Sequence, residues 1–129
     1  ALLAYRMEPL RPGAEGALTL YWQRMSDEPI RQAYKAFVHV AVDESDQGRV
    51  AQHDEMPVYE LYPTTCWQKG QVVADVHRLP VAGDARPGDY PVFVGLYDPV
   101  AGTRPPTFAS EPARQMHGSV LLPTKAVVR

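Results

Sequence analysis

The chain has little cysteine, no long apolar run and almost no net charge. Cys66 is the single cysteine among 129 residues, which excludes an intramolecular disulfide and a zinc site built from several thiolates. No apolar run approaches the roughly 18 residues of a membrane span, so we expect no membrane insertion. A formal net charge of −2 provides no basic surface excess, and we expect no nucleic-acid partner.

The helical repeat is also missing, whereas several segments alternate apolar and polar residues as strands do. Thirteen prolines and nine glycines lie mostly at the borders of these segments, where turns are expected. We therefore predict one all-β domain over residues 1–129. Its expected form is an antiparallel β-sandwich of immunoglobulin-like or jelly-roll type with about seven or eight strands.

Residues 90–98 are predicted to form one strand that is buried on both faces. Val92 and Val94 point to one side of it, while Phe93 and Tyr97 point to the other. Gly95 stands between large residues, which indicates a close approach by a neighbour or a bulge. Residues 117–128 are predicted as a final strand. The residues expected between the sheets are Leu20, Trp22, Val38, Val40, Val92 and Val94.

Two histidines lie in the middle of predicted strands, His39 in 34–43 and His77 in 71–79. If both strands neighbour the 90–98 strand, one sheet face gathers aromatic and polar side chains. Its members would be Phe37, His39, Phe93, Tyr97, Asp75 and His77. Such a face suits a sugar, because rings stack on apolar sugar faces while polar groups meet hydroxyls. The alternative is that the 55–70 loop covers the face and the histidines form buried hydrogen bonds.

The long loop 55–70 carries Tyr59, Tyr62 and Trp67 and has no regular period. Loops of this length are usually functional or packed down by their own side chains. Trp67 is expected to anchor the loop, with an exposed sugar platform as the alternative. Asp54 and Asp75 are expected to be structural, accepting backbone N–H groups that organise the loop.

Motifs for metal binding or catalysis are weak. The acidic segment 43–48 is interpreted as a solvated hairpin turn rather than a calcium loop, and the four histidines lack paired ligand spacing. No serine lies in a nucleophile elbow, and Cys66 has no evident base. We therefore predict no metal, no cofactor and no enzymatic activity.

Short motifs in a fixed order carry a family resemblance. They are LYW at 20–22, FVHV at 37–40, AQHD at 51–54, YPT at 62–64, VAD at 73–75, PGDY at 87–90 and VGLYD at 94–98. This order resembles the extracytoplasmic C-terminal module of Chloroflexi-type membrane proteins that are similar to protein mannosyltransferases. The chain departs from the pattern at RPP, 104–106, and through 108–116.

The resemblance implies a β-sandwich outside the membrane, near glycan-handling machinery, and it transfers no catalytic residues. We therefore expect a non-catalytic accessory module at the cell surface that binds a protein partner or its own copies. The alternative is a carbohydrate-binding module. It would use exposed aromatic residues from the set Phe37, His39, Tyr59, Tyr62, Trp67, Phe93 and Tyr97.

Overall fold

The computed structural model describes residues 1–129 and consists of strands and connecting turns, with a single 3-10 turn at Thr64–Cys66. The strands are β1 (Leu2–Met7), β2 (Glu15–Gln23), β3 (Lys35–Ala41), β4 (Arg49–Glu55), β5 (Val72–Pro80), β6 (Gly88–Tyr90), β7 (Val92–Tyr97), β8 (Arg114–Met116), β9 (Ser119–Leu121) and β10 (Ala126–Val128). The all-β prediction is confirmed. The number of strands is ten instead of seven or eight; six of them have six to nine residues, and four have only three.

Two antiparallel sheets bury their facing sides against each other. One has the order β1–β2–β5, the other has the order β4–β3–β7–β9–β8, and β6 pairs with β10 in a two-stranded ribbon. The six residues predicted between the sheets are all fully buried. The sandwich architecture is therefore as predicted, while the finer immunoglobulin-like or jelly-roll assignment stays a prediction.

Prolines divide two of the predicted strands. Pro91 separates β6 from β7. Because proline has no backbone N–H, it cannot donate a ladder hydrogen bond that would continue the strand. Its carbonyl instead accepts a hydrogen bond from Ala41 N at 2.9 Å. Pro123 likewise separates β9 from β10. The predictions of single strands over 90–98 and 117–128 are thus wrong. At Pro91 the chain passes from the ribbon into the five-stranded sheet, and at Pro123 it passes from that sheet back into the ribbon.

Strand β5 alternates strictly between exposed and buried residues. Val72, Ala74 and Val76 share one face, and that face is exposed. Asp75 and His77 point into the sandwich, on the face opposite to Val72, Ala74 and Val76.

The structure contains no helix with the length and apolar character that a membrane crossing requires.

Candidate functional site

The outer face of the five-stranded sheet gathers four of the predicted site residues. His39 lies opposite Phe93, and Phe37 lies opposite Gly95, with Tyr97 two residues further along β7. Phe37, His39 and Phe93 are buried, and Tyr97 is half-buried.

Two side chains from the C-terminal half of the chain lie against this face. The Arg104 guanidinium carbon lies 4.5 Å from the centre of the Phe37 ring, and the His117 ring lies 5.8 Å from that of Phe93. The aromatic face is therefore covered by other parts of the chain, and its buried rings present no open surface.

His39 is held by carboxylates on this face. Its Nδ1–H donates to Asp46 Oδ2 at 2.9 Å, and Arg49 Nε donates to the other oxygen of Asp46 at 3.1 Å. Burial lowers the pKa of His39 and outweighs the hydrogen bond and charge of Asp46, which act in the opposite direction. Neutral His39 therefore serves to fix the buried Asp46 at the hairpin between β3 and β4.

Asp54 lies beside this pair but does not organise the loop as predicted. Its carboxylate is 3.9 Å from His39 Nε2 and accepts a hydrogen bond from the Tyr97 hydroxyl at 3.3 Å. No backbone N–H donates to it. The side chain is turned to the outer face of the sheet, so it cannot reach the loop that follows β4.

Asp75 and His77 do not join the aromatic face, and the prediction that placed them there is wrong. Strand β5 pairs with β2 in the other sheet, so both side chains lie in the interior. The Asp75 carboxylate accepts Trp22 Nε1–H at 3.2 Å and His77 Nε2–H at 2.7 Å on one oxygen, and the Val58 backbone N–H at 2.9 Å on the other. Asp75 therefore does bind the loop backbone, as the sequence suggested.

A second histidine extends this buried chain. His53 Nδ1 and His77 Nδ1 lie 2.8 Å apart, between the adjacent strands β4 and β5. With His77 Nε2–H donated to Asp75, the Nδ1 of His77 is the acceptor in this contact and the Nδ1–H of His53 is the donor. Burial would raise the pKa of Asp75, but the donors and charge around the carboxylate outweigh it and the pKa is lowered. Burial and the neighbouring His77 lower the pKa of His53.

Residues 56–62, here called the strap, pass over this chain of hydrogen bonds. Val58, Tyr59 and Glu60 have φ angles of 56°, 51° and 68°, so three consecutive non-glycine residues form a left-handed turn. Each such residue costs about 1–2 kcal/mol, and the conformation of a β-branched valine there is a clear outlier. The surrounding contacts must compensate for this strain.

Three contacts hold residues 58 and 59 of the strap. The Val58 N–H binds Asp75, the Tyr59 ring packs 5.3 Å from the ring of His53, and the Tyr59 hydroxyl accepts the Arg78 N–H at 3.0 Å. Tyr59 remains 42% exposed, the most open of the predicted aromatic site residues. Its polar tip and one part of its ring are already engaged within the chain.

Trp67 closes the long loop. It is only 4% exposed, its Nε1–H donates to the Tyr62 carbonyl at 3.1 Å, and its ring lies 6.4 Å from that of Trp22. Tyr62 is half-buried and its hydroxyl donates to Gln71 Oε1 at 2.7 Å. This geometry is that of a loop anchor with no exposed indole face.

An apolar pocket of about 220 Å³ opens at the end of the sandwich beside the two tryptophans. We call it the tryptophan pocket; its apolar lining includes Ile30, Tyr34, Leu96 and Phe108, together with Trp22 and Trp67, whose side chains are almost completely buried. Sequence reasoning missed it because the walls come from separate segments, two of which were treated only as connections. The exposed Phe108 and Met25, 69% and 61% accessible at its edge, were the available signals.

The charges near the tryptophan pocket are already engaged. The Arg24 guanidinium donates to the carbonyls of Ser26, Trp67 and Asp27 at 2.7–3.1 Å. In the pocket wall, Thr107 Oγ1 is the one buried side-chain polar atom without a hydrogen-bond partner. The pocket is thus suited to a neutral, largely apolar group.

Metal ligands do not converge anywhere in the chain. No group of three histidine, cysteine or acidic side chains is arranged to hold an ion. In the acidic hairpin 43–48, Asp43 accepts the Ser45 N–H at 2.9 Å, which is a turn hydrogen bond within the chain.

Comparisons of the chain with protein-family models, with curated proteins and with solved structures gave no match. The membrane-protein module inferred from the short motifs therefore remains a prediction.

Proposed function

We propose that this chain is a non-catalytic accessory module that binds a protein partner. One apolar side chain of the partner, aromatic or branched aliphatic, would enter the tryptophan pocket. The extracytoplasmic location and the association with a membrane protein are proposed from the motif resemblance alone.

The tryptophan pocket is the observation that carries the proposal. An apolar cavity of about 150 Å³ is large enough for benzene, so 220 Å³ accommodates one side-chain ring. Two exposed apolar side chains, Met25 and Phe108, flank the opening. An apolar anchor inserted into a pocket with apolar contacts around it is the usual energetic centre of a protein interface.

The engaged charges favour a neutral occupant. An anionic ligand would have to compete with the three carbonyls that Arg24 already binds. An ammonium group would meet apolar walls without a carboxylate, since no acidic residue lines the pocket. A partner's side chain that carries no charge incurs neither cost.

We propose no catalytic activity because the buried histidines and carboxylates that could act as acid or base form hydrogen bonds within the chain. Asp75 is saturated by three donors, and His39 and His77 are each bound to a buried carboxylate. A catalytic acid or base needs to reach a substrate within hydrogen-bond distance. These side chains instead join strands and hold the strap.

Carbohydrate binding is the second candidate, and the exposed Tyr59 is what favours it. A sugar platform needs an open ring face, which Phe37, Phe93 and Trp67 do not present. Tyr59 alone provides a small platform at the surface. We therefore rank this function below partner binding.

The test uses N-acetyl-phenylalaninamide, N-acetyl-leucinamide and N-acetyl-serinamide as side-chain probes. We expect the first two, but not the third, to shift the indole N–H resonances of Trp22 and Trp67 in NMR spectra. Ser26 lies at the pocket, so Ser26→Phe should fill the opening and abolish the shifts. Ser45→Phe, in the exposed hairpin turn, is the matched control and should leave them unchanged.

Two outcomes contradict the proposal. Equal shifts with the serine probe, or shifts that persist in Ser26→Phe, would show that the tryptophan pocket is not an apolar anchor site. Binding to a glycan array that is lost in Tyr59→Ala would favour the carbohydrate function instead.

A further inference from the structure

The hydrogen bond between His53 and His77 limits how many protons the closed structure can hold. Asp75 fixes the His77 Nε2–H, so the contact of 2.8 Å between the two Nδ1 atoms needs one proton, not two. One added proton can be placed on His53 Nε2 without breaking it. A second added proton would place an N–H on both Nδ1 atoms, so that two donors face each other without an acceptor, and the contact must then break.

The strap depends on the same side chains. It rests on His53 through the Tyr59 ring and on Asp75 through the Val58 N–H, and its left-handed turn is strained. When the strap lifts, water reaches the pair and each histidine can bind its own proton. The open form can therefore hold at least one more proton than the closed form.

We propose that residues 56–62 form an acid-operated latch, closed at neutral pH by the Asp75–His77–His53 chain and opened when both histidines become protonated. Three consecutive strap residues have a strained backbone, and strain of this kind persists only where the surrounding contacts maintain it. Because opening binds an extra proton, acid shifts the equilibrium towards the open form.

The charges around the pair set how acidic the solution must be. From β5, Asp75 favours protonation of His53, and from β4 so do Glu55 and Asp54. His77 opposes protonation of His53, and Tyr59 is the strap residue whose ring packs on that of His53. Burial and His77 outweigh these three carboxylates, so the pKa of His53 is lowered in the closed form.

Opening of the latch would also reach the tryptophan pocket. Tyr62, the last residue of the strap, accepts the Trp67 Nε1–H, and Trp67 forms part of the pocket wall. Acid would therefore weaken the binding of an apolar anchor. This consequence rests on the proposed function, whereas the opening itself does not.

Hydrogen exchange of the strap amides tests the latch without any partner. After correction for intrinsic rates, protection of Val58, Glu60 and Leu61 should fall by at least about tenfold per pH unit as the solution is acidified, because at least one extra proton is bound on opening. The Val38 amide of β3 should stay better protected at every pH, which distinguishes local opening from global unfolding.

His53→Gln is the decisive variant. A glutamine amide can offer either its N–H or its carbonyl to His77 Nδ1, so the closed form accepts both protonation states and the pH dependence should vanish. His117→Gln replaces an exposed histidine away from the strap and should keep the full dependence.

Three results would overturn the latch. The first is protection of the strap amides that does not change with pH in the unmodified chain. The second is the same pH dependence in His53→Gln as in His117→Gln. The third is histidine-ring NMR spectra in which His53 and His77 are both doubly protonated while the strap amides stay protected. None of them bears on the side-chain probes, so the latch and the partner-binding proposal can fail separately.

Discussion

The ring of Phe37 lies over Gly95 on the neighbouring strand, so closely that a Cβ on Gly95 would come within 2.7 Å of Phe37 Cζ. The glycine predicted to mark a close approach therefore accommodates an aromatic side chain. Phe37 in turn is covered by Arg104. The absence of one side chain on β7 allows the outer face of the sheet to be packed.

Gly95→Ala should lower the free energy of unfolding by about 1–3 kcal/mol, because the buried Phe37 ring must move into a packed environment. Urea denaturation measures the change. Gly83→Ala is the control, since nothing lies within 4 Å of its added Cβ and its φ is not left-handed. Combining Gly95→Ala with Phe37→Leu should recover part of the loss. Equal stabilities of the two alanine variants would contradict this contact.

Two buried threonines should respond in opposite directions to replacement by valine. Thr107→Val removes a hydroxyl that has no partner, so the unfolding free energy should stay the same or rise by up to about 1 kcal/mol. Thr64 Oγ1 donates to the Gln32 carbonyl and accepts the Tyr34 N–H, so Thr64→Val should cost about 1–3 kcal/mol. A larger loss at Thr107 than at Thr64, in thermal or urea unfolding, would contradict the assignment.

Val94 is fully buried between the sheets, whereas Val100 is 93% exposed in a turn. Val94→Ala should destabilise by about 1–3 kcal/mol through lost burial and a residual cavity. Val100→Ala should change stability by less than about 0.5 kcal/mol. Denaturant melts of both variants check the pair, and a negligible effect at Val94 would mean that the sheets do not meet there.

Trp67→Ala should destabilise by about 3–5 kcal/mol and expose residues 55–70 to proteases, because the indole packs in the core and holds the Tyr62 carbonyl. Limited proteolysis with mass spectrometry locates the cleavage. Cys66→Ala, at the exposed neighbouring residue, should leave the digestion pattern unchanged. A stable Trp67→Ala variant that loses micromolar oligosaccharide binding would instead identify Trp67 as a sugar platform.

Acid should weaken the fold before carboxylates titrate. Burial lowers the pKa of His39 and of His53 in the folded chain, so the unfolded chain binds protons more readily. Their contribution to stability is therefore fully present above about pH 6.5 and is lost as the pH falls towards the folded values.

Asp46 and Asp75, whose pKa values are also lowered, extend the loss below about pH 3.8. Urea melts across this range measure both parts of the curve. Stability that stays constant or rises between about pH 6.5 and pH 5 would contradict the histidine contribution.

Local periodicity in the sequence determined much of the fold. The alternation of Leu18, Leu20 and Trp22 correctly indicated which face of β2 is buried, and the apolar run around Val94 indicated a strand buried on both faces. The sequence also indicated the roles of Gly95 and Trp67. A residue without a side chain leaves space for a neighbouring ring, and a large apolar residue in a loop tends to be buried.

Only the tertiary structure decided which strands are partners. Asp75 and His77 lie on a strand whose period was recognised, yet pairing with β2 instead of β7 placed them in the interior beside His53. Strand period depends on adjacent residues, whereas pairing depends on which faces can be buried together by segments far apart in the chain. For the same reason, the tryptophan pocket and the strained strap exist only where distant segments meet.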